Sequence, residues 1–130
     1  MKTLIAVSHQ FDRSVLLDWT FANLPWTVTE LHHCGSNAAG RLIQRWRYDG
    51  ARDGKRYPPG SAYHEGAWSA AENPFAAMMQ SIISRVDAAL VLWDGECLDM
   101  QQVIRDCSEA KLKMVTHVYP MASTKYFPLT

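Results

Sequence analysis

Val86-Asp87-Ala88-Ala89-Leu90-Val91-Leu92-Trp93-Asp94-Gly95 is the stretch on which the fold turns. From Ala88 to Trp93 every residue is apolar. A strand with one wet face would carry a polar residue at every second position. This run therefore reads as a strand buried on both faces, with Asp94-Gly95-Glu96-Cys97 as its exit loop. Such strands belong to parallel sheets covered by helices above and below. Downstream, Leu98 to Ala110 has helical spacing with Met100, Val103, Ile104 and Cys107 inward, and Lys113 to Tyr119 reads as a last strand. Upstream, Phe75, Met78, Met79, Ile82 and Ile83 form the apolar stripe of a helix contained in Ala67 to Ser84, with Pro74 where a first turn accepts it.

The N-terminal half repeats the alternation. Thr3-Leu4-Ile5-Ala6-Val7 is another doubly buried strand, followed by the turn Ser8-His9-Gln10-Phe11-Asp12. Arg13 to Ala22 carries Val15, Leu16, Trp19 and Phe21 at near-helical spacing, with Asp12 as its expected N-cap. Trp26 to His32 alternates and reads as a strand. A helix is expected from Asn37 to Tyr48, with Leu42, Ile43 and Trp46 on one face and Gly50 stopping it. Residues 50–66 read as an irregular Gly/Pro-rich loop with a short strand at Lys55-Arg56-Tyr57, and 120–130 as a short tail. The order predicts an α/β fold: one Rossmann-like three-layer domain over 1–130, with a mainly parallel sheet of about five strands.

Composition narrows the function. The 130 residues carry 13 Lys+Arg and 13 Asp+Glu, a net charge of zero, with 48% hydrophobic and 20% charged residues. That is globular composition, and a chain of this size buries roughly two-thirds of its unfolded surface without needing a disulfide or metal. Neutrality argues against a nucleic-acid or membrane-surface protein, both of which rely on clustered positive charge. No stretch is apolar enough for a membrane span. Cys34, Cys97 and Cys107 are odd in number and widely spaced, which fits no disulfide framework and no CxxC pair. With no apolar leader before Thr3, a reducing cytoplasm is the expected compartment. His32-His33-Cys34 has metal-like composition, but neighbours on a strand point to opposite faces, so no metal is expected there. No cofactor is called for.

In parallel sheets ligands bind beyond the C-terminal strand ends, where strand order reverses. Three loops qualify. Ser8-His9-Gln10-Phe11 offers hydrogen-bonding groups and a titratable imidazole. Cys34-Gly35-Ser36-Asn37 leads a strand into a helix, and a small-residue turn at a helix N-terminus suits a phosphate as well as it suits plain capping by Ser36 or Asn37. Asp94-Gly95-Glu96 follows the central strand. It is either an ordinary Asp-Gly turn or a place for Asp94 or Glu96 beside a ribose or base, with Trp93 stacking or filling the core.

The order and spacing of these pieces resemble the SLOG superfamily, a LOG/DprA-like Rossmannoid group, and in particular its small YspA/YpsA-related branch. The likeness covers about residues 2–119. The branch's first turn is matched by Val7-Ser8-His9, and its Ser-Gly-Gly-Ala-x-Gly-Ala-Asp-Arg turn by His33-Cys34-Gly35-Ser36-Asn37-Ala38-Ala39-Gly40-Arg41. Glu72-Asn73-Pro74 with Met78 loosely matches its Arg-Asn-x-x-Met helix start. Val86 to Gly95 closely matches its Ala-Asp-Ala-x-x-x-x-Trp-Asp-Gly. Cys34 and Ala38 replace glycines, Gly40 an acid, Glu72 an arginine, and Cys97-Leu98-Asp99-Met100 a Ser-x-Gly-Thr.

The resemblance implies a domain that binds a nucleotide or a nucleotide-derived, NAD-related signal without catalysis, as sensor or sequestering protein. Its binding residues would be Ser8, His9, Gln10, Gly35, Ser36, Asn37, Asn73, Trp93, Asp94, Gly95 and Glu96. The lost glycines and the acid at Glu72 imply weakened phosphate preference. Two alternatives stand beside this. Related LOG-type enzymes cleave nucleotide N-glycosidic bonds. Such chemistry wants a carboxylate beside an oxocarbenium-like centre, for which Asp94 and Glu96, with Asp99 nearby, are the candidates. The aromatic content instead suits a protein-interaction module or homo-oligomer, docking through Tyr63 and Trp68, with Trp19, Trp46 and Trp93 assigned to packing. The basic run Arg41, Arg45, Arg47, Arg52, Lys55, Arg56 is expected to face solvent.

Overall fold

The computed structural model describes residues 1–34, 38–52, 62–64 and 73–119, with 51–52 and 62–64 described as backbone. The elements run β1 (Lys2–Val7), α1 (Ser14–Ala22), β2 (Glu30–Cys34), α2 (Ala38–Arg52), β3 (Ala62–His64), α3 (Pro74–Ile83), β4 (Ala88–Trp93), α4 (Leu98–Glu109) and β5 (Lys113–Val118). The five strands form one sheet in the order β3-β2-β1-β4-β5. Every pairing is parallel. This is the Rossmann-like α/β architecture expected, with the sheet entirely rather than mainly parallel.

β4 sits between β1 and β5, and its first five residues are buried on both faces. Alternation then sorts its side chains. Leu90 and Leu92 face α1 and α2 with Ile5, Val7, Leu17, Ile43 and Trp46. Ala89 and Val91 face α3 and α4 with Leu4, Met78, Ile82, Met100, Val103 and Cys107. Two helices thus cover each face, and the core is two apolar layers separated by the sheet. No helix among the described residues is long and apolar enough to cross a membrane.

Several boundaries differ from expectation. β2 begins at Glu30, not Trp26. Its partner β1 starts opposite Glu30 at Lys2, and the last tie upstream is Thr29 N–H to the Met1 carbonyl at 3.0 Å, so Trp26–Val28 have no strand to pair with among the described residues. Trp26 instead donates its indole N–H to Thr3 Oγ1 at 3.0 Å. α2 does not stop at Gly50 but runs to Arg52. A glycine in a helix costs only about 1 kcal/mol, less than the packing of the amphipathic face of α2 supplies. Residues 50–52 of the expected loop are therefore helical and 62–64 form β3, while Lys55-Arg56-Tyr57 and the tail 120–130 lie outside the described residues. Asp12 does not cap α1; Arg13 is the N-cap, with no side-chain cap bond. Trp46 is buried as expected, its ring edge-on to Phe21 at 5.2 Å. Trp19 is not: it is 56% exposed, resting edge-on against His117 of the edge strand β5.

Burial has a pH consequence. Desolvation, reinforced by the neighbouring Asp106 charge, pushes the Cys107 thiol from the usual 9.0 to about 12. Desolvation, opposed by the neighbouring Ser8 hydroxyl, pushes the Tyr119 phenol from 10.0 to about 12. Both groups lose their proton more readily in the unfolded chain than in the fold. Stability from these groups is therefore complete below about pH 9 and is lost as pH rises toward 12. Urea midpoints should fall steadily above about pH 9, and less so in Tyr119→Phe. A midpoint unchanged through pH 11 contradicts the assignment.

Candidate functional site

Strand order reverses between β1 and β4. The chain leaves β1 toward α1 on one face and leaves β4 toward α4 on the other, so the two exit loops diverge and a crevice opens between them. A cleft of about 620 Å³ lies there, lined by His9, Gln10, Asp94, Glu96, Cys97, Leu98 and Asp99.

Short hydrogen bonds hold its walls. Ser8 N–H continues the sheet to the Leu92 carbonyl at 3.0 Å, and Phe11 N–H closes the turn on the Ser8 carbonyl at 2.9 Å. The Ser8 hydroxyl, fully buried, accepts the Asp94 N–H at 2.9 Å and so ties the two loops together. Asp94 Oδ1 accepts both Glu96 N–H and Cys97 N–H at 2.8 Å each, turning the chain into α4. Gly95 makes that turn at φ +85°, a left-handed conformation that an L side chain strains to adopt; a Cβ there would meet only Val118 at 3.7 Å, so conformation rather than space calls for glycine. The Trp93 indole donates to the Cys97 carbonyl at 3.0 Å and packs against the α3–α4 core, so it pins the loop and fills the interior. Across the cleft, His9 Nε2 and Asp99 Oδ2 are 2.7 Å apart, both side chains part-exposed. Phe75 on α3 holds the imidazole edge-on at 4.8 Å.

Of the residues singled out from sequence, His9, Gln10, Asp94 and Glu96 converge on this cleft, with Gly95 between two of them. Ser8 and Trp93 support its walls from inside. Asn73 does not line it: its side chain accepts the Ala76 N–H at 3.1 Å as the N-cap of α3, two residues before Phe75. Gly35, Ser36, Asn37, Glu72 and Trp68 lie outside the described residues, as does the side chain of Tyr63. Sequence reading did not include Cys97, Leu98 or Asp99 in the binding set. The signal for Asp99 was its place in the first turn of a helix leaving the central strand, where side chains turn back toward the strand end.

Among the described residues the lining carries three carboxylates, one imidazole and no Lys or Arg. Arg41 and Arg45 line a second cleft of about 600 Å³ between α1 and α2, floored by Trp46 and shared with Asp18 and Asp49. Trp46 donates its indole N–H to Asp18 at 3.2 Å. This second cleft sits between neighbouring helices on one face and has no strand-order reversal beneath it. His32 pairs with Glu30 at 2.5 Å, while His33 is on the opposite face of β2. Among the described residues no group of three or more His, Cys, Asp or Glu side chains is placed to hold a metal ion. Comparison with protein-family models, with curated proteins and with solved structures gives no match to this chain.

Proposed function

We propose that the chain is a SLOG-like domain that binds a nucleotide or nucleotide-derived, NAD-related small molecule without turning it over, as a sensor or sequestering protein. The crevice between the exit loops of β1 and β4 is its site. One observation carries the reading: residues chosen from two loops 84 or more positions apart, His9 and Gln10 with Asp94 and Glu96, line a single cleft at the strand-order reversal. Binding without turnover is favoured because Asp94 Oδ1, the better buried of the two carboxylate candidates, is committed to two backbone N–H groups. The second reading, nucleotide N-glycosidic hydrolysis or transfer, draws on the His9–Asp99 pair, an arrangement able to hold and pass a proton.

An amide-resolved NMR titration with adenosine, AMP, ADP-ribose and NAD tests the proposal. Saturable shifts with at least one member, and no free base released, are expected. Release of free base transfers the case to the second reading, and silence toward the whole panel overturns both.

A further inference from the structure

The sheet ends at β5, which among the described residues has a neighbour on one side only. Its register with β4 runs one-to-one from Lys113 to Val118, with no bulge and no proline. Lys113 N–H donates to the Asp87 carbonyl at 3.2 Å, and just past the strand Tyr119 N–H donates to the Trp93 carbonyl at 2.8 Å. Backbone groups along a strand turn to alternate sides. The odd-numbered positions therefore face β4, and Met114, Thr116 and Val118 turn their N–H and C=O groups outward. Among the described residues no backbone group meets them.

An open edge is normally blunted by a proline, a bulge or charges along the strand. β5 has one charge, Lys113, at its first position. Thr116 at its centre is exposed. Apolar surface flanks it on both faces of the sheet. Met114 packs on the α3–α4 layer and Val115 on the α1–α2 layer, so alternation puts Val118 on the first face and His117 on the second. Val118 is exposed, and so is Trp19 of α1 where it rests against His117.

The strand is also its own complement. An antiparallel neighbour bonds β5 through outward-facing residues set opposite one another. Two copies of β5 meet that condition for all three such residues in a register centred on Thr116. Thr116 then lies opposite Thr116, and Met114 opposite Val118 in both directions, each pair exchanging both backbone bonds. The side chains suit the same register. Threonine meets threonine at the two-fold axis, and Val118 covers Met114. Val115 falls opposite His117, beside which Trp19 sits. Lys113 falls opposite Tyr119, so the two ammoniums stand at opposite ends of the joint. A chain of zero net charge meets its own copy without net repulsion.

We infer that two copies of the chain join along β5, antiparallel and centred on Thr116, into a two-fold dimer with one continuous sheet. Each copy covers the other's β5 edge, so the assembly closes at two. This surface is separate from Tyr63 and Trp68, and the inference does not depend on what the crevice binds.

Sedimentation velocity of the full chain from about 1 to 100 µM tests it, a range that reaches the weaker end of standard interfaces. Twice the monomer mass is expected at the top of that range. Thr116→Lys sets two ammoniums face to face at the axis, and Thr116→Asp two carboxylates. Each alone should weaken dimerisation at least about tenfold, and an equimolar mixture of the two should restore it, since the register puts Lys against Asp. Thr116 is exposed, so neither change enters the core. Amide hydrogen exchange of the unaltered chain is a second readout that needs no variant. Met114, Thr116 and Val118 should gain protection as concentration rises. A chain that remains monomeric to the top of the range overturns the inference. So does a dimer that both variants leave intact, or one in which the amides of Met114, Thr116 and Val118 exchange as fast as in the monomer.

Discussion

Replacing Leu90 by alanine is expected to lower the unfolding free energy by about 3–5 kcal/mol, the range for emptying a fully enclosed leucine site. Leu90 is wholly buried at the middle of β4, hydrogen-bonded on both sides in register with Ile5 and Val115. Its side chain points into the layer shared with Leu17, Leu31, Ile43 and Trp46. A central strand between two others cannot shift to fill the void without breaking both ladders, so the site collapses little. Urea unfolding followed by circular dichroism measures the loss. Val15→Ala on α1 is the control: Val15 is 80% exposed, and its change should stay within about 0.5 kcal/mol. If L90A cost no more than the control, β4 would not be the doubly buried strand on which the fold rests.

Asp94→Ala is expected to carry the second-largest effect, because one side chain serves both fold and site. The substitution leaves the Glu96 and Cys97 amides without their acceptor at the start of α4. Losing a helix-entry acceptor of this kind costs about 1–2 kcal/mol, or roughly 3–8 °C in Tm for a domain of this size. Asp94→Asn keeps an Oδ1 acceptor and should recover most of the stability while removing the negative charge. The pair separates the two roles. Alanine should weaken both stability and ligand binding; asparagine should weaken binding by about tenfold with little change in Tm. Equal Tm losses in the two variants would show that the charge, not the acceptor geometry, organises the turn.

The parts legible in the sequence are those with a local physical cause. β4 and β1 announce themselves because a strand covered on both faces is built almost wholly of apolar residues, and the apolar stripe of α3 comes from helical spacing behind Pro74. The parts that were not legible depend on partners distant in sequence. Trp26–Thr29 has strand-like composition, yet it forms no strand because β1 begins only opposite Glu30. Gly50 looks like a stop, yet α2 continues through it because packing outweighs propensity. Trp19 has core chemistry and remains half outside, on a helix that is apolar around most of its surface.

The site divides along the same line. Asp94, Gly95 and Glu96 stood out as the exit of a recognisable strand, and His9 and Gln10 as the exit of another. That the two exits share one cleft comes from the β1–β4 adjacency, which no local pattern encodes. The His9–Asp99 contact, spanning 90 positions, comes from that adjacency alone. Ser8 and Asn73 carry ligand-binding chemistry but spend it on the fold, one tying β1 to the Asp94 loop and the other capping α3.

The central claim is that ligand binds at the β1–β4 reversal, and the amide-resolved NMR titration tests it most directly because it locates binding as well as detecting it. The account predicts saturable shifts concentrated in 8–10 and 94–99, with β3 and the outer face of α2 little changed. Shifts concentrated instead around Arg41 and Arg45, in the cleft between α1 and α2, would contradict it.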